Sequence, residues 1–237
     1  MQAYDFSALE GNLAYSFREK KYLLKALTHS TYAYENKERD EGLRDNERLE
    51  FLGDGLLDFV IADFLFALQA DKDEGYLSKT RALVVCETTL VAAAHDIHLG
   101  DFLLLGKGEE QTGGRKKPSN LANAMEAIFA AVYMDGGFEE AKRVVLHLLS
   151  SYAQKAVSGE LIFDFKSKIL ELSQARGNTR QVRFSIIDES GPIHERIYTA
   201  ALYLDDELFS TGTGTSKKCA EQGAAKEAYT LWKTRFL

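Results

Sequence analysis

The feature that most constrains the fold is a change in the spacing of apolar residues about two-thirds of the way along the chain. Up to about residue 156, apolar residues recur every three or four positions, over 21–33, 47–69, 77–95, 119–134 and 139–155. This spacing predicts amphipathic helices. After one more helical range, three short runs alternate apolar and polar residues, which predicts strands, and a last helix closes the chain. The predicted fold class is an all-α domain followed by a small α+β domain in the order α-β-β-β-α.

Turn-forming residues indicate where the domains and their elements end. The segment GKGEEQTGGRKKP at 106–118 is rich in Gly and charge, which predicts a surface loop within the helical domain. We predict the domain borders as follows: a helical domain over 1–156, a linker over 157–163 and an α+β domain over 164–237. The strands are predicted near 182–187, 197–204 and 208–212, with turns at 189–192 and 205–206.

Charge is unevenly distributed between the two predicted domains. The net charge is −7, from 29 Lys and Arg against 36 Asp and Glu, and on its own it argues against a nucleic-acid partner. Residues 164–237, however, hold 11 basic and 10 acidic residues. The excess of negative charge therefore belongs to the helical domain, where it needs a physical reason.

Composition also indicates where the protein acts. No run approaches the roughly 18 apolar residues of a membrane span, and the first residues lack the basic and apolar segments of a secretory signal. Cys86 and Cys219 are the only cysteines, which is typical of a reduced cytosolic protein. We therefore expect a cytoplasmic protein with no membrane partner.

The segment NERLEFLGDGLLD at 46–58 carries an acidic stripe along a predicted helix. At about 100° per residue, four carboxylates fall within about 80° of one another: Glu47, Glu50, Asp54 and Asp58. Five bulky apolar residues are expected on the opposite side: Leu49, Leu52, Leu56, Val60 and Phe64. Like charges at this spacing destabilise a helix unless a cation binds them.

Two interpretations of the acidic stripe are open. One is an acidic face that is simply solvated. The other is a metal site, because a second predicted helix presents Asn123 and Glu126 three residues apart among small and apolar neighbours. Mg²⁺ prefers hard oxygen ligands, and two such ions can activate a water and stabilise the leaving oxygen in phosphodiester hydrolysis.

The acidic segment resembles the signature helix of the ribonuclease III family, endoribonucleases specific for double-stranded RNA. Further similar segments lie on both sides of it, in family order along nearly the whole chain: LTHSTY at 27–32, EGYLS at 74–78 with Arg81, LGKGE at 105–109 and LANAMEA at 121–127. The long signature is specific, whereas each short segment alone is weak.

The resemblance implies roles for four acidic residues. Asp54 and Glu126 match the catalytic pair of the family, and Glu50 matches a further metal ligand. Glu47 matches an acidic position nearer the RNA, although Glu47 and Arg48 could instead form a charge pair at the start of the helix. The cofactor implied is Mg²⁺, for which Mn²⁺ can substitute, and no organic cofactor is implied.

Asn123 departs from the family pattern, which usually has Asp at this position. Its carbonyl oxygen can still coordinate a metal, but the site loses one negative charge. We expect weaker metal binding or a higher Mg²⁺ requirement, with the site still working because the other carboxylates are present.

Two residues near the signature have structural alternatives. Phe51 resembles the aromatic residue that family members insert into a pocket of the partner subunit, which implies a two-fold homodimer. Ordinary core packing is the alternative for Phe51. His29 is expected to make a structural hydrogen bond rather than to take part in catalysis.

The α+β domain resembles a double-stranded RNA-binding domain, a module that reads duplex shape across two minor grooves and the phosphates between them. The resemblance implies RNA contacts from the first helix, the loop after the first strand and the start of the last helix: Ser167, Glu171, His194, Lys217 and Lys218. Lysines at a helix N-terminus oppose the helix dipole. An anion bound there explains them, and a solvated helix start is the alternative.

The function implied is Mg²⁺-dependent endonucleolytic cleavage of double-stranded RNA, which leaves 5′-phosphate and 3′-hydroxyl ends with short 3′ overhangs. Ribosomal RNA precursors and structured messenger RNAs are the implied substrates. The alternative is a catalytically attenuated double-stranded RNA-binding protein, with Asn123 as the mark of a decayed site. A phosphohydrolase for small molecules would leave the C-terminal domain unexplained.

Overall fold

The structure, a computed structural model, describes residues 5–38, 42–161, 164–174, 180–192 and 196–236. The chain divides into two compact units, Met1–Leu161 and Ile162–Leu237, called here the helical unit and the α+β unit. The predicted fold class, an all-α domain followed by an α-β-β-β-α domain, is confirmed. The predicted linker and the exact borders around it stay a prediction.

The helical unit consists of α-helices joined by short turns: α1 (Ser7–Leu13), α2 (Lys20–Ala26), α3 (Ser30–Asn36), α4 (Glu47–Leu68), α5 (Glu74–Val85), α6 (Glu87–Asp96), α7 (Lys107–Gln111), α8 (Pro118–Gly136) and α9 (Phe138–Val157). The predicted helix over 77–95 is two helices, because Cys86 adopts an extended backbone with φ −70° and ψ 155°. The predicted helix over 21–33 is also divided, where Thr28 forms a parallel bridge with Leu104. None of the described helices is long and apolar enough to cross a membrane.

The polar segment 106–118 is more ordered than the predicted surface loop. It contains α7 and a 3-10 turn at Gly114–Lys116. The Arg115 guanidinium donates hydrogen bonds to the carbonyl oxygens of Gly100, Asp101 and Leu103. These long-range bonds to backbone groups order the segment, and local sequence gives no sign of them.

Helix α8 lies at the centre of the helical unit. From Leu121 to Val132 every residue is buried except Asn123 and Glu126. A helix that is apolar nearly all round belongs inside a core. The two polar residues of α8 therefore mark the one side of this range that is partly open.

The buried face of α4 coincides only in part with the apolar residues expected opposite the acidic stripe. Its buried residues are Leu49, Gly53, Leu57, Val60, Ile61 and Leu65. Of the five residues expected opposite the stripe, Leu49 and Val60 are buried, whereas Leu52 is 37% exposed and Leu56 and Phe64 are half-buried. The buried face lies beside the acidic stripe rather than opposite it, because α4 meets α8 at Gly53, a residue that a count of bulky side chains ignores.

The α+β unit packs two helices against one antiparallel sheet of strand order β1-β2-β3. Its elements are α10 (Phe165–Ser173), β1 (Val182–Ser190), β2 (Ile197–Leu204), β3 (Glu207–Gly214) and α11 (Lys217–Phe236). Ile169 of α10, Leu202 of β2 and Trp232 of α11 lie in its buried core. This is the arrangement that the alternating runs predict.

Of the two turns predicted in the α+β unit, one is confirmed and the other has a different start. The turn at Asp205 and Asp206 is confirmed, and both residues have positive φ, 52° and 68°, as in the tight turns that suit β-hairpins. The prediction starts the turn at 189–192 two residues too early. Glu189 and Ser190 still belong to β1, paired with Tyr198 and Ile197 of β2.

Candidate functional site

The acidic stripe of α4 runs along the edge of the buried face. Glu50 and Asp58 are half-buried, and Glu47 and Asp54 are exposed. The stripe therefore borders the core instead of standing free in solvent, which argues against the simple solvated face.

A backbone contact between two helices brings the stripe to α8. A Cβ atom added at Gly53 would lie 1.9 Å from the backbone oxygen of Glu126. Such a distance is far shorter than any van der Waals contact, so only Gly allows the two backbones to lie this close. The contact sets Glu50 and Asp54, which flank Gly53 on α4, beside Glu126 of α8.

Electrostatic coupling indicates that these carboxylates share one environment. Burial and the charges of Asp54, Glu50 and Asp58 raise the pKa of Glu126 from 4.5 to about 7. Burial and the charges of Glu47 and Asp54 also raise the pKa of Glu50. Both directions are those of a crowded cluster of like charges in a partly desolvated site.

Two neighbouring side chains offset part of this repulsion. The Asn123 amide donates a hydrogen bond to Glu50 and acts against the rise in the pKa of that carboxyl. Arg81 of α5 lies with Nε 3.6 Å from Asp58 Oδ1, at the far end of the stripe. The sequence segment with Arg81 suggested a family match, but no spacing rule links it to Asp58.

The chemistry of this donor set fits a hard divalent cation. Within the described part of the chain, no three His, Cys, Asp or Glu side chains converge closely enough to hold a metal ion. Glu50, Asp54 and Glu126 nevertheless offer carboxylate oxygens beside the amide of Asn123, the ligand type that Mg²⁺ prefers.

An apolar surface lies next to the acidic stripe on α4. Phe51 is 84% exposed, Phe59 59% and Phe66 73%. A groove of about 430 Å³ is lined by Phe51 and Phe59 with Tyr133 and Phe138. Core packing as the role of Phe51 is therefore wrong within one copy of the chain.

His29 makes the structural hydrogen bond that the sequence predicts. Its Nδ1 lies 2.8 Å from Thr31 Oγ1, and Thr31 Oγ1 in turn accepts a hydrogen bond from the Gly106 N–H. These contacts attach the start of α3 to the segment before α7.

The first helix of the α+β unit presents Ser167 and Glu171 in different settings. Asp164 caps α10, accepting hydrogen bonds from the backbone N–H of Ser167 at 3.0 Å and from its Oγ at 2.6 Å. These bonds lower the pKa of Asp164 to about 2. Glu171 Oε2 pairs with Lys168 Nζ at 3.0 Å. His194, predicted to contact RNA, lies outside the described residues.

The start of α11 is fixed by close contact with β3. A Cβ atom at Gly214 would lie 2.6 Å from the backbone nitrogen of Ala220. Lys217 and Lys218 are both exposed in the first turn of α11. Lys217 Nζ lies 3.0 Å from Glu189 Oε1, and this contact raises the pKa of Lys217. The sequence predicts an anion at these lysines, and in the structure Glu189 of the same unit already contacts Lys217.

Comparison with known proteins agrees with both units. Residues 19–152 match the family model described as Ribonuclease-III-like, and residues 165–231 match the double-stranded RNA binding motif. The fold and site thus define an endoribonuclease that acts on double-stranded RNA. The chain belongs to the ribonuclease III family.

Individual relatives cover most of the chain. Ribonuclease 3 of Pelotomaculum thermopropionicum is 44% identical over 220 residues, which cover 93% of this chain and 90% of that protein. Ribonuclease 3 of Carboxydothermus hydrogenoformans is 44% identical over 226 residues, 95% of each chain. The crystal structure of the nuclease domain of ribonuclease III from Campylobacter jejuni has a TM-score of 0.57 and 41% identity, and covers 63% of this chain and 97% of that one.

Proposed function

We propose that the chain cleaves double-stranded RNA with the help of Mg²⁺ bound at the carboxylates between α4 and α8. The observation that carries this proposal is the close approach of α4 and α8 at Gly53, which sets Glu50 and Asp54 beside Glu126. Burial and the charges of Asp54, Glu50 and Asp58 raise the pKa of Glu126 to about 7, and a bound cation would offset that repulsion. Mn²⁺, which takes the same oxygen ligands, is proposed as a substitute.

Each residue of the cluster has a proposed role. Asp54 and Glu126 are the catalytic carboxylates, and Glu50 and Asn123 complete the ligand set. Bound Mg²⁺ would supply an activated water and charge stabilisation at the leaving oxygen. The Asn123 amide, which donates to Glu50, orients that carboxylate. Glu47, exposed at the start of α4, is proposed to lie toward the RNA.

The α+β unit is proposed to hold the duplex while the helical unit cuts it. Its proposed contacts are Ser167, Glu171, His194, Lys217 and Lys218. Hydrolysis that breaks the bond to the 3′ oxygen leaves a 5′-phosphate and a 3′-hydroxyl. We propose precursors of ribosomal RNA and structured messenger RNAs as substrates, because the family resemblance implies them.

We further propose a homodimer that covers the apolar surface of α4. Phe51, Phe59 and Phe66 are largely exposed in the single chain, and exposed apolar patches of this kind mark interaction sites. A similar solved structure, the nuclease domain of ribonuclease III from Campylobacter jejuni, shows structural flexibility in a region involved in dimer formation. Two copies would each supply one cleavage site, and the offset between the sites would give short 3′ overhangs.

The cytoplasm is the proposed place of action. Cys86 and Cys219 are free thiols in the structure, and free thiols are typical of reducing compartments.

Asn123 favours one alternative, a protein that binds duplex RNA but has lost most of its cleavage. An amide in place of a carboxylate lowers the charge available to a metal ion by one. The retained carboxylates Glu50, Asp54 and Glu126 argue against complete decay.

A cleavage experiment separates the proposal from this alternative. Labelled duplex RNA is incubated with the full chain in rising Mg²⁺ and, separately, with a chelator. We expect cleavage in Mg²⁺ only, with Asn123→Asp requiring less Mg²⁺ than the wild type. Duplex that is bound but uncut by the wild type at every Mg²⁺ concentration, together with cleavage by Asn123→Asp, would establish the attenuated protein instead.

A further inference from the structure

Glu189 is a carboxylate of the α+β unit for which the sequence suggests no role. It pairs in register with Tyr198 of β2, and Tyr198 pairs with Gly214 at the end of β3. This end of the sheet leads directly into the start of α11. Glu189 is thus located beside Lys217, one of the two lysines that are proposed to bind phosphate.

Both oxygens of the Glu189 carboxylate lie near cations. Oε1 is 3.0 Å from Lys217 Nζ, and Oε2 is 3.6 Å from Arg196 Nη1. Lys217 Nζ also lies 5.7 Å from the centre of the Tyr198 ring, on the strand next to Glu189. Glu189 and Tyr198 therefore contact Lys217 in the RNA-free protein, and Arg196 pairs with the other oxygen of Glu189.

This arrangement has the form of an occupied phosphate site. A carboxylate and a phosphodiester both present two anionic oxygens to cationic donors, and Lys and Arg bind either group. Lys217 lies in the first turn of α11, where the helix dipole also favours an anion. Glu189 is therefore the anion at this position when RNA is absent.

We infer that Glu189 competes with RNA phosphate for Lys217 and so sets the affinity of the protein for duplex RNA. The inference rests on the proposed phosphate contact of Lys217. An RNA phosphate that approaches Lys217 either displaces Glu189 or is bound against its negative charge. Either event weakens the RNA complex. The effect is small because the Glu189–Lys217 ion pair is exposed to solvent.

The test is the affinity of the full chain for a fluorescent RNA duplex longer than the roughly 16 bp that such a module spans. Fluorescence anisotropy is measured with a chelator present, so that binding is separated from cleavage. At about 0.1 M salt, Glu189→Gln is expected to lower the Kd about two- to five-fold, the range for one exposed ion pair. The gain should shrink as salt rises, because both charges are exposed to solvent and screened.

Asp188→Asn is the matched control for this test. Asp188 is the exposed neighbour of Glu189 on β1 and carries the same charge, and successive strand residues point to opposite faces. We expect Asp188→Asn to change the Kd less than Glu189→Gln does. Equal changes in the two variants, or weaker binding by Glu189→Gln, would overturn the inference.

A double-mutant cycle separates this inference from the function on which it rests. Lys217→Ala is expected to weaken binding and to abolish the gain from Glu189→Gln, because the two residues act through one contact. If Lys217→Ala leaves the Kd unchanged, the proposed phosphate contact itself fails. If Lys217→Ala weakens binding but the gain from Glu189→Gln persists in its background, the contact stands and the competition by Glu189 is refuted.

Discussion

Replacing Glu126 by Gln is expected to stabilise the metal-free protein at alkaline pH much more than at acid pH. Burial and the charges of Asp54, Glu50 and Asp58 raise the pKa of Glu126 from 4.5 to about 7 in the folded chain. Between these two values the folded state binds more protons than the unfolded state. The free energy of unfolding of the wild type therefore falls as the pH rises through this window. Gln carries no charge at any pH, so the variant escapes this loss.

The size of the effect follows from the two pKa values. The difference between 4.5 and about 7 corresponds, at about 1.36 kcal/mol per pH unit, to about 3 kcal/mol. Glu126 is only half-buried, and solvent screens part of the repulsion from its neighbours, so we expect about 2 kcal/mol. The full difference should be present above about pH 8 and vanish below about pH 4.5.

Urea unfolding of the full chain in the presence of a chelator measures this difference. Far-UV circular dichroism follows mainly the helical unit, which holds most of the helices. Trp232 is the only tryptophan and lies in the core of the α+β unit, so its fluorescence reports the other unit separately. We expect Glu126→Gln to move the dichroism transition at about pH 8 and to leave the Trp232 transition in place.

Glu139→Gln is the control, because Glu139 is an exposed carboxylate of α9 in the same unit. It should change stability little at either pH, as surface substitutions usually do. A stabilisation by Glu126→Gln that is equal at acid and alkaline pH would contradict the electrostatic argument. It would mean that packing rather than charge repulsion distinguishes Glu from Gln at this position.

Two further predictions test one unit each. Gly53→Ala should lower the free energy of unfolding by about 1–3 kcal/mol through overpacking, because its Cβ would lie 1.9 Å from the Glu126 backbone oxygen. Gly55→Ala is the control and should not destabilise, because a Cβ at Gly55 meets nothing within 4 Å. Thermal unfolding compares the two, and equal losses would refute the close approach. Lys217→Ala combined with Lys218→Ala should weaken RNA binding and reduce the slope of log Kd against log salt by about two. An unchanged slope in salt titrations would refute the proposed phosphate contacts of both lysines.

The main elements of the fold could be predicted because they depend on local patterns. Spacing alone placed the helix that begins at Glu47 and the strand at 197–204. The acidic stripe was visible for the same reason, since carboxylates three and four residues apart share one side of a helix. The pairing of this stripe with Asn123 and Glu126 was proposed from the spacing of those two residues on a second helix, and the coupled pKa of Glu126 agrees with it; the roles of the individual residues came from the family resemblance.

The features that could not be predicted all depend on contacts between elements distant in sequence. The buried face of α4 is set by Gly53, whose part is to leave room for the α8 backbone. Arg81 meets Asp58, and Glu189 meets Lys217, only after separate elements have packed together. The periodicity within one helix or strand does not predict contacts with another element. A glycine within a helix is expected to destabilise it, and its packing role becomes apparent only when the neighbouring helix is known.

The most direct test of the central claim is single-turnover cleavage of duplex RNA by the wild type and by Glu126→Gln, in excess protein and saturating Mg²⁺. If the carboxylates between α4 and α8 hold the catalytic cation, the variant should bind the duplex as the wild type does in chelator and cut it at least about a hundred-fold more slowly. Cleavage by Glu126→Gln at close to the wild-type rate would contradict the account and place the chemistry elsewhere in the chain.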